Sequence, residues 1–251
     1  MDRRLWMRAS GYPGREITRC PMHVRVCRLD LADLSSVDTF VKDLEAEKSI
    51  DFLVLNAGVA GGPLEHVAGT GFEKHMAANH FGHAHLTNLL LPRIKAQNTP
   101  CRIVVVASAA HAMGDIDLND INYKNGRKYS GMKAYGQSKL ANILFAKALH
   151  DRLKDTQIVT SSLHPGVIAT NIWRNAPSWV GKCLVPTFFT DKTVQQGAAT
   201  QVWACFADGI GGKYLQDCKV KEPKKKAESV NDSDALWEAT QKLLAEATTA
   251  R

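Results

Sequence analysis

Several features are missing from this sequence, and each absence excludes a class of protein. No segment approaches the ~18–20 uninterrupted apolar residues that a membrane-spanning helix requires. The six cysteines form no CxxC pair and no regular spacing, which indicates free thiols in an intracellular protein rather than a disulfide framework. The start carries Arg3, Arg4 and Arg8 without a following apolar stretch, so it is not a typical secretory signal. An arginine-rich start is also typical of organellar transit peptides, so cytoplasmic and organellar locations, the chloroplast included, both stay open.

Basic charge is in excess but has no nucleic-acid motif around it. The formal net charge is +7, and part of the excess lies in the run Lys219–Lys226. We expect this run to be a solvated loop between the last strand and the last helix. Electrostatic docking to an anionic membrane surface or partner is the alternative. Nucleic-acid binding is excluded because no aromatic side chains interleave with the lysines to form a stacking surface.

Apolar strand patterns alternate with helical patterns along the chain, which predicts an α/β fold with a doubly wound, mostly parallel sheet. Val24–Leu31 alternates at period two, and Asp51–Leu55 is a continuous apolar run typical of a strand buried on both faces. The other predicted strands are Arg102–Ala107, Ile158–Leu163 and Gly212–Cys218, and the predicted helices are Asp33–Glu47, Gly71–Ala96, Ser130–Lys154, Val194–Phe206 and Asp232–Ala247. We therefore divide the chain into a poorly defined segment, 1–23, and one domain, 24–251.

The residues with the clearest chemistry are Tyr135 and Lys139. They are four apart on a predicted helix, so their side chains lie on the same face. A phenol with a pKa near 10 is a poor acid–base catalyst at neutral pH, and a neighbouring ammonium stabilises the phenolate. Ser108 follows a predicted strand at the sheet edge where open α/β sheets bind ligands. A hydroxyl there can hold a carbonyl oxygen while Tyr135 transfers the proton.

This constellation, together with Asn56-Ala57-Gly58 after an earlier strand, resembles the short-chain dehydrogenase/reductase superfamily from about Val24 to the end. The segments 78–83, 134–144 and 163–166 are similar to one branch of it. That branch contains the retinol dehydrogenases, the oxidoreductase domain of the WW-domain-containing oxidoreductases and the plant chloroplast-envelope Tic32-like proteins. The resemblance implies a Rossmann-type fold and an oxidoreductase that transfers hydride between a nicotinamide and an alcohol or carbonyl.

The resemblance also implies a role for each matching position. Tyr135 is the general acid/base, Lys139 lowers its pKa and bonds the nicotinamide ribose, and Ser108 orients the carbonyl. Asn79 helps to hold a proton-relay water near Lys139. The implied cofactor contacts are Asp30 and Leu31 at the adenine, Asn56, Ala57 and Gly58 at the ribose, and Pro165, Gly166, Val167 and Thr170 at the nicotinamide amide. For Asn56, Asn79 and Thr170, ordinary capping and turn hydrogen bonds are an alternative.

Two other patterns suggest different chemistry and are set aside. His80, His83 and His85 form an HxxHxH cluster, but on a helix His83 and His85 point to different faces, so we expect no metal site. Ser138 lies within a helical pattern and lacks the second glycine of a nucleophile elbow. Hydrolase chemistry at Ser138 is therefore excluded.

A glycine-rich phosphate loop, which the resemblance places near the start of the chain, is absent. The first 23 residues contain only Gly11 and Gly14, without a buried strand before them. The resemblance therefore describes an N-terminally truncated domain without its first βαβ unit, and we expect an incomplete gene model or a truncated isoform. Without those strands, we expect Val24–Leu31 to slide over and pair with Asp51–Leu55, since an unpaired central edge is an aggregation hazard.

Two classes of function are compatible with this sequence. One is an NAD(P)-dependent oxidoreductase acting on a lipophilic, retinoid-, steroid- or lipid-like molecule, a substrate class suggested by the aromatic stretch Trp173–Phe189. For its cofactor, the branch resemblance favours NADP(H) over NAD(H). The other is a truncated, non-catalytic binding or regulatory protein on the same scaffold. This alternative is weakened by the presence of all three residues Ser108, Tyr135 and Lys139. Peripheral membrane contact and homo-oligomerisation are both left open.

Overall fold

A five-stranded sheet organises the residues that the computed structural model describes, namely 24–168, 172, 192–224 and 230–249. The strands are β1 (Phe52–Leu55), β2 (Cys101–Val106), β3 (Ile158–His164), β4 (Tyr214–Gln216) and β5 (Lys219–Val220), and they lie in the order β1-β2-β3-β4-β5. The first four are parallel, and β5 is antiparallel to β4. This arrangement confirms the predicted α/β fold with a mostly parallel sheet.

Helices cover both faces of the sheet. They are α1 (Leu34–Asp43), α2 (Lys74–Met76), α3 (Gly82–Ala96), α4 (Gly131–Leu153), α5 (Val194–Phe206) and α6 (Val230–Thr249). Alternate residues of β2 point to opposite faces. Ile103 and Val105 join the large core formed with α1, α3, α4 and α6, whereas Val104 and Val106 pack against α5 in a smaller core. In the described part of the chain, no helix is long and apolar enough to cross a bilayer.

The segment Val24–Leu31 departs from the prediction. It forms no strand and does not pair with β1, so both expectations were wrong. Its end is instead anchored locally: the backbone N–H of Asp30 donates to Ser36 Oγ at 2.9 Å, and buried Leu31 packs against α3 beside Gly82. The contacts with α1 and α3 therefore hold the end of this segment, whereas Val24 and Val26 near its start are exposed.

Strand β1 is consequently the edge of the sheet as far as the structure describes it. Phe52 is 45% exposed and Val54 is 40% exposed, on the face that α5 only partly covers. Phe52 contacts Phe206 of α5 with ring centroids 5.2 Å apart, and Phe206 is itself exposed. An apolar corner therefore remains beside the edge strand.

The long helix predicted over Gly71–Ala96 is interrupted by a π-helical turn. Residues Ala77–Phe81 form this turn between α2 and α3. A π-helical turn inserts one extra residue into the helix, and such turns are frequent at functional sites. Asn79 lies within it and is fully buried.

The end of the sheet also differs from the prediction over Gly212–Cys218. The chain turns after β4 through Asp217 and Cys218, both with positive φ, and returns as the short strand β5. The basic run therefore begins in a strand rather than in a loop. The aromatic stretch Trp173–Phe189 lies outside the described residues.

Candidate active site

A cavity of about 590 Å³ opens at the carboxyl ends of β1, β2 and β3. This is the edge at which parallel α/β sheets bind ligands, because the loops that follow adjacent strands meet there. The predicted site residues that line the cavity are Asn56, Ala57, Gly58, Ser108, Tyr135, Lys139, Pro165, Gly166 and Val167. Residues far apart in sequence are thus brought into one site.

Three other predicted site residues do not line the cavity. Asp30 is exposed near the start of α1, and Leu31 is buried against α3. Asn79 lies behind the wall of the cavity, where its Oδ1 accepts from Val59 N at 2.8 Å and its Nδ2 donates to Ser138 Oγ at 2.9 Å. The predicted Thr170 lies outside the described residues.

Tyr135 and Ser108 come together at the centre of the cavity. Tyr135 is on α4, whereas Ser108 follows β2 and caps a 3₁₀ turn, Ala109–Met113, by accepting from Ala110 N. Both side chains line the cavity. Burial raises the pKa of Tyr135 above its ordinary value, and the nearby Ser108 hydroxyl acts in the opposite direction.

Lys139 is a buried cation one helical turn after Tyr135. Its ammonium donates to Val106 O at 3.0 Å and lies 5.7 Å from the centroid of the Tyr135 ring. Burial lowers the pKa of Lys139 to about 8, so the group is still charged at neutral pH. The pKa of Tyr135 is therefore raised and not lowered as expected, because burial of the phenol outweighs the opposing effect of Ser108.

A buried ion pair lies behind Tyr135. Glu73 and His75 are both fully buried, with 2.7 Å between Oε1 and Nδ1, and Tyr129 donates its hydroxyl to the same carboxylate at 3.1 Å. Burial alone would raise the pKa of Glu73, but His75 and two backbone N–H groups hold it below its ordinary value. The His75 ring lies edge-on to Tyr135 with centroids 6.3 Å apart, so this pair supports the wall of the site.

The histidine cluster is engaged in separate hydrogen bonds. His80 Nε2 contacts Thr240 Oγ1 at 2.9 Å, His83 Nδ1 contacts Asn79 O at 3.1 Å, and His85 Nε2 contacts Asp38 Oδ1 at 2.7 Å. Burial lowers the pKa of His80 to about 4 and that of His83 to about 3. Both rings are therefore neutral at physiological pH.

Helix α5 supplies cavity residues that the sequence analysis did not identify. Val194, Gly197, Ala198 and Gln201 line the cavity from its first turns. Gln201 Nε2 also donates to Asn56 Oδ1 at 3.1 Å. The helix itself was correctly predicted, but no local pattern indicates which of its faces meets the strand ends.

The nicotinamide end of a dinucleotide cofactor fits these residues. The buried ammonium of Lys139 has one hydrogen-bond acceptor among the described residues, which leaves donors for a ribose hydroxyl. A Cβ on Gly58 would lie 3.0 Å from Asn79 Oδ1 and 3.4 Å from Lys139 Nζ, so glycine keeps this wall open. Among the described residues before Asn56, 24–55, there is no glycine, so this part of the chain contains no glycine-rich turn for a pyrophosphate.

Comparison with known proteins agrees with this geometry. The family model for short chain dehydrogenases matches residues 13–181. Human retinol dehydrogenase 12 is 37% identical over 227 residues, covering 88% of this chain and 70% of the relative. Human retinol dehydrogenase 13 is 37% identical over 231 residues, with 88% and 69% covered.

Solved structures share the fold. An uncharacterised protein from Mycobacterium paratuberculosis superposes with a TM-score of 0.69 at 32% identity, covering 86% of this chain and 74% of that one. A gluconate 5-dehydrogenase from Burkholderia cenocepacia, in complex with NADP and tartrate, has a TM-score of 0.55 at 17% identity, with 74% and 71% covered. The chain therefore belongs to the short chain dehydrogenase family and is an oxidoreductase that acts on CH–OH groups.

Proposed function

We propose that this protein transfers hydride between a nicotinamide cofactor and a lipophilic alcohol or carbonyl compound, with Tyr135 exchanging the proton. The observation that carries the proposal is the meeting of Tyr135, Ser108 and Lys139 in one cavity at the strand ends. A non-catalytic protein would have no chemical need for a buried ammonium beside a buried phenol, since each of these groups is costly to bury.

In the proposed reaction, the nicotinamide supplies or accepts the hydride. Ser108 holds the substrate oxygen, and Tyr135 donates a proton to that oxygen in reduction or accepts one in oxidation. Lys139 keeps a positive charge beside the phenol up to its pKa of about 8. Asn79 braces the wall by bonding both the loop after β1 and Ser138 of α4.

The residues predicted from the sequence would hold the cofactor. Asn56, Ala57 and Gly58 would border its ribose, Lys139 would bond the nicotinamide ribose, and Pro165, Gly166 and Val167 would border the amide. The roles predicted for Asp30, Leu31 and Thr170 are carried by the resemblance alone. So is the preference for NADP(H), and both nucleotides therefore need to be tested.

A lipophilic substrate is supported by two observations. The cavity wall contains the apolar side chains of Val106, Ile168, Ile172 and Val194. The relatives named above are retinol dehydrogenases. Apolar walls with a few convergent polar groups are typical of sites for lipophilic small molecules.

The test is titration of the chain with NADPH and NADH, followed by fluorescence transfer from its tryptophans. Turnover is then measured with retinol and with a saturated long-chain alcohol as the two substrate probes. We expect binding of the nucleotides and oxidation of at least one alcohol. The variant Y135F should retain binding and lose turnover by about 100-fold or more, since it removes the acid–base group.

The opposite result would identify the alternative function. A folded chain that binds neither nucleotide would support the non-catalytic alternative on this scaffold. Binding with equal turnover in the chain and in Y135F would exclude Tyr135 as the acid–base group. Far-ultraviolet circular dichroism of both proteins serves as the folding control.

A further inference from the structure

His111 connects the site serine to a distant part of the chain. It lies in the 3₁₀ turn that Ser108 caps, and its Nδ1 is 2.7 Å from the carbonyl oxygen of Ser108. On the other side of the ring, the backbone N–H of Lys224 donates to Nε2 at 3.1 Å. Both ring nitrogens are thus hydrogen bonded, and Lys224 lies 113 residues after His111 in the sequence.

These two bonds fix the protonation state of the ring. A backbone N–H can only donate, so Nε2 must be the acceptor, and a carbonyl can only accept, so Nδ1 carries the proton. Burial of the imidazole lowers its pKa, with the charge of Lys224 acting in the same direction, which agrees with a neutral ring. The ring is 5% exposed and packs edge-on against Tyr214 of β4, with centroids 5.3 Å apart.

Ser108 connects His111 to the cavity. Its main chain is bonded to His111, and its side chain lines the same cavity as Tyr135. The serine therefore stands between the proposed acid–base group and the imidazole. Its backbone is extended, with φ −162° and ψ 156°, and the turn is held by the Ala110 N–H to Ser108 Oγ bond at 3.2 Å.

We propose that His111 is a positioning residue, which holds Ser108 in hydrogen-bonding distance of Tyr135 by tying the Ser108 carbonyl to the main chain at Lys224. This inference rests on the proposed function for its catalytic consequence, but the linkage itself does not depend on turnover. The segment before α6 thereby contributes to the site without lining it.

The test measures the hydrogen bond of Tyr135 directly. The ¹³Cζ resonance of Tyr135, assigned by its absence in Y135F, reports hydrogen bonding of the phenol at fixed pH. S108A should shift this resonance, because it removes the partner. H111F keeps a ring against Tyr214 but loses both polar bonds, and we expect it to shift the resonance in the same direction as S108A.

Substitution by asparagine separates the two bonds of His111. H111N retains a donor for the Ser108 carbonyl, so the Tyr135 resonance should return toward its position in the unaltered chain. H85N is the matched control, because His85 is also a buried imidazole and lies on α3 bonded to Asp38. It should leave the Tyr135 resonance in place. The ring ¹⁵N shifts of His111 should show the proton on Nδ1.

Three results would overturn the inference: no shift in S108A, no shift in H111F when S108A shifts, or equal shifts in H111F and H111N. Should H111F not fold, K224P decides instead, with K224A as the control for the lost charge, since only K224P also removes the N–H donor to Nε2. K224P should move the ¹⁵N shift of Nε2 and the Tyr135 resonance together. An unchanged Tyr135 resonance in K224P would contradict the linkage.

Steady-state kinetics distinguish a positioning role of His111 from a general loss of stability. In H111F, kcat should fall tenfold or more while the KM for the nucleotide stays unchanged, because a misplaced positioning group affects the chemical step. H111N should recover most of the loss. If the unaltered chain shows no turnover, the proposed function fails, and the resonance comparison still decides whether His111 positions Ser108.

Discussion

Replacing Lys139 with methionine should abolish turnover and at the same time stabilise the protein at neutral pH. The ammonium is 2% exposed, and burial lowers the pKa of Lys139 from 10.5 to about 8. A folded pKa below the unfolded value means that keeping the proton costs folding free energy at every pH below 8. At about 1.36 kcal/mol for each pKa unit, this cost is about 3 kcal/mol.

The structure also limits what the substitution removes. Val106 O accepts from Lys139 at 3.0 Å, but it accepts from Asn142 Nδ2 at 3.2 Å as well, so the carbonyl keeps a partner in K139M. The lost hydrogen bond costs about 1 kcal/mol. The expected net gain in the free energy of unfolding at pH 7 is therefore about 2 kcal/mol.

The pH dependence provides the sharper test. Between pH 8 and 10.5 the unfolded chain binds a proton that the folded chain has lost, so the stability of the unaltered protein rises with pH. The advantage of K139M should shrink over this range. Urea unfolding of both proteins at pH 7, 8, 9 and 10 measures the difference between their free energies of unfolding. The contributions of the other titrating groups cancel in this difference. A destabilised K139M, or a pH-independent difference, would refute the buried-charge reasoning.

Three further perturbations test other parts of the structure. E73Q breaks the buried pair with His75 and should lower the free energy of unfolding by about 3 kcal/mol in urea at pH 7. The pKa of Glu73 is held below 4.5, so this loss of stability should diminish as the pH falls below that value. G82A should destabilise the protein by about 1–3 kcal/mol in thermal unfolding, because its Cβ would clash with the carbonyl oxygen of Leu31. Alanine usually favours a helix over glycine, so a stabilised variant would show that Leu31 does not pack there. F52K should reduce self-association in light scattering and cost less than about 1 kcal/mol, since no described strand pairs with the edge beside exposed Phe52. Unchanged association would contradict this role of the edge.

Local patterns located β1 and β2, but the expectation that β1 is buried on both faces was wrong, because Phe52 and Val54 are exposed. Asp51–Leu55 and Arg102–Ala107 were recognised from continuous apolar runs, and the structure places β1 and β2 there to within a residue or so. Val24–Leu31 has the alternation of a strand, but among the described residues no strand lies beside it. Strand formation depends on a partner for the backbone, which the local sequence does not specify.

The candidate site was predictable where a motif and a strand end coincide. Tyr135, Lys139 and Ser108 fall into the cavity because the parallel sheet brings its strand ends together. Gln201 and His111 carried no recognisable signal, because their relevance arises from contacts with residues far away in sequence. The direction of the shift in the Tyr135 pKa could not be predicted either, because the burial of the phenol depends on all the elements packed around it.

The π-helical turn at Ala77–Phe81 makes the site sensitive to the length of the chain as well as to its composition. One residue of a helix corresponds to about 100° of rotation about the axis. Because the turn holds one extra residue, deleting a residue from it would restore a regular helix and keep α2 and α3 near their present rotational phase, but it would rotate the residues of the turn itself. Asn79 would then leave Val59 and Ser138, even though no functional side chain had been altered. In this helix, single-residue deletions are therefore expected to be more damaging than most substitutions.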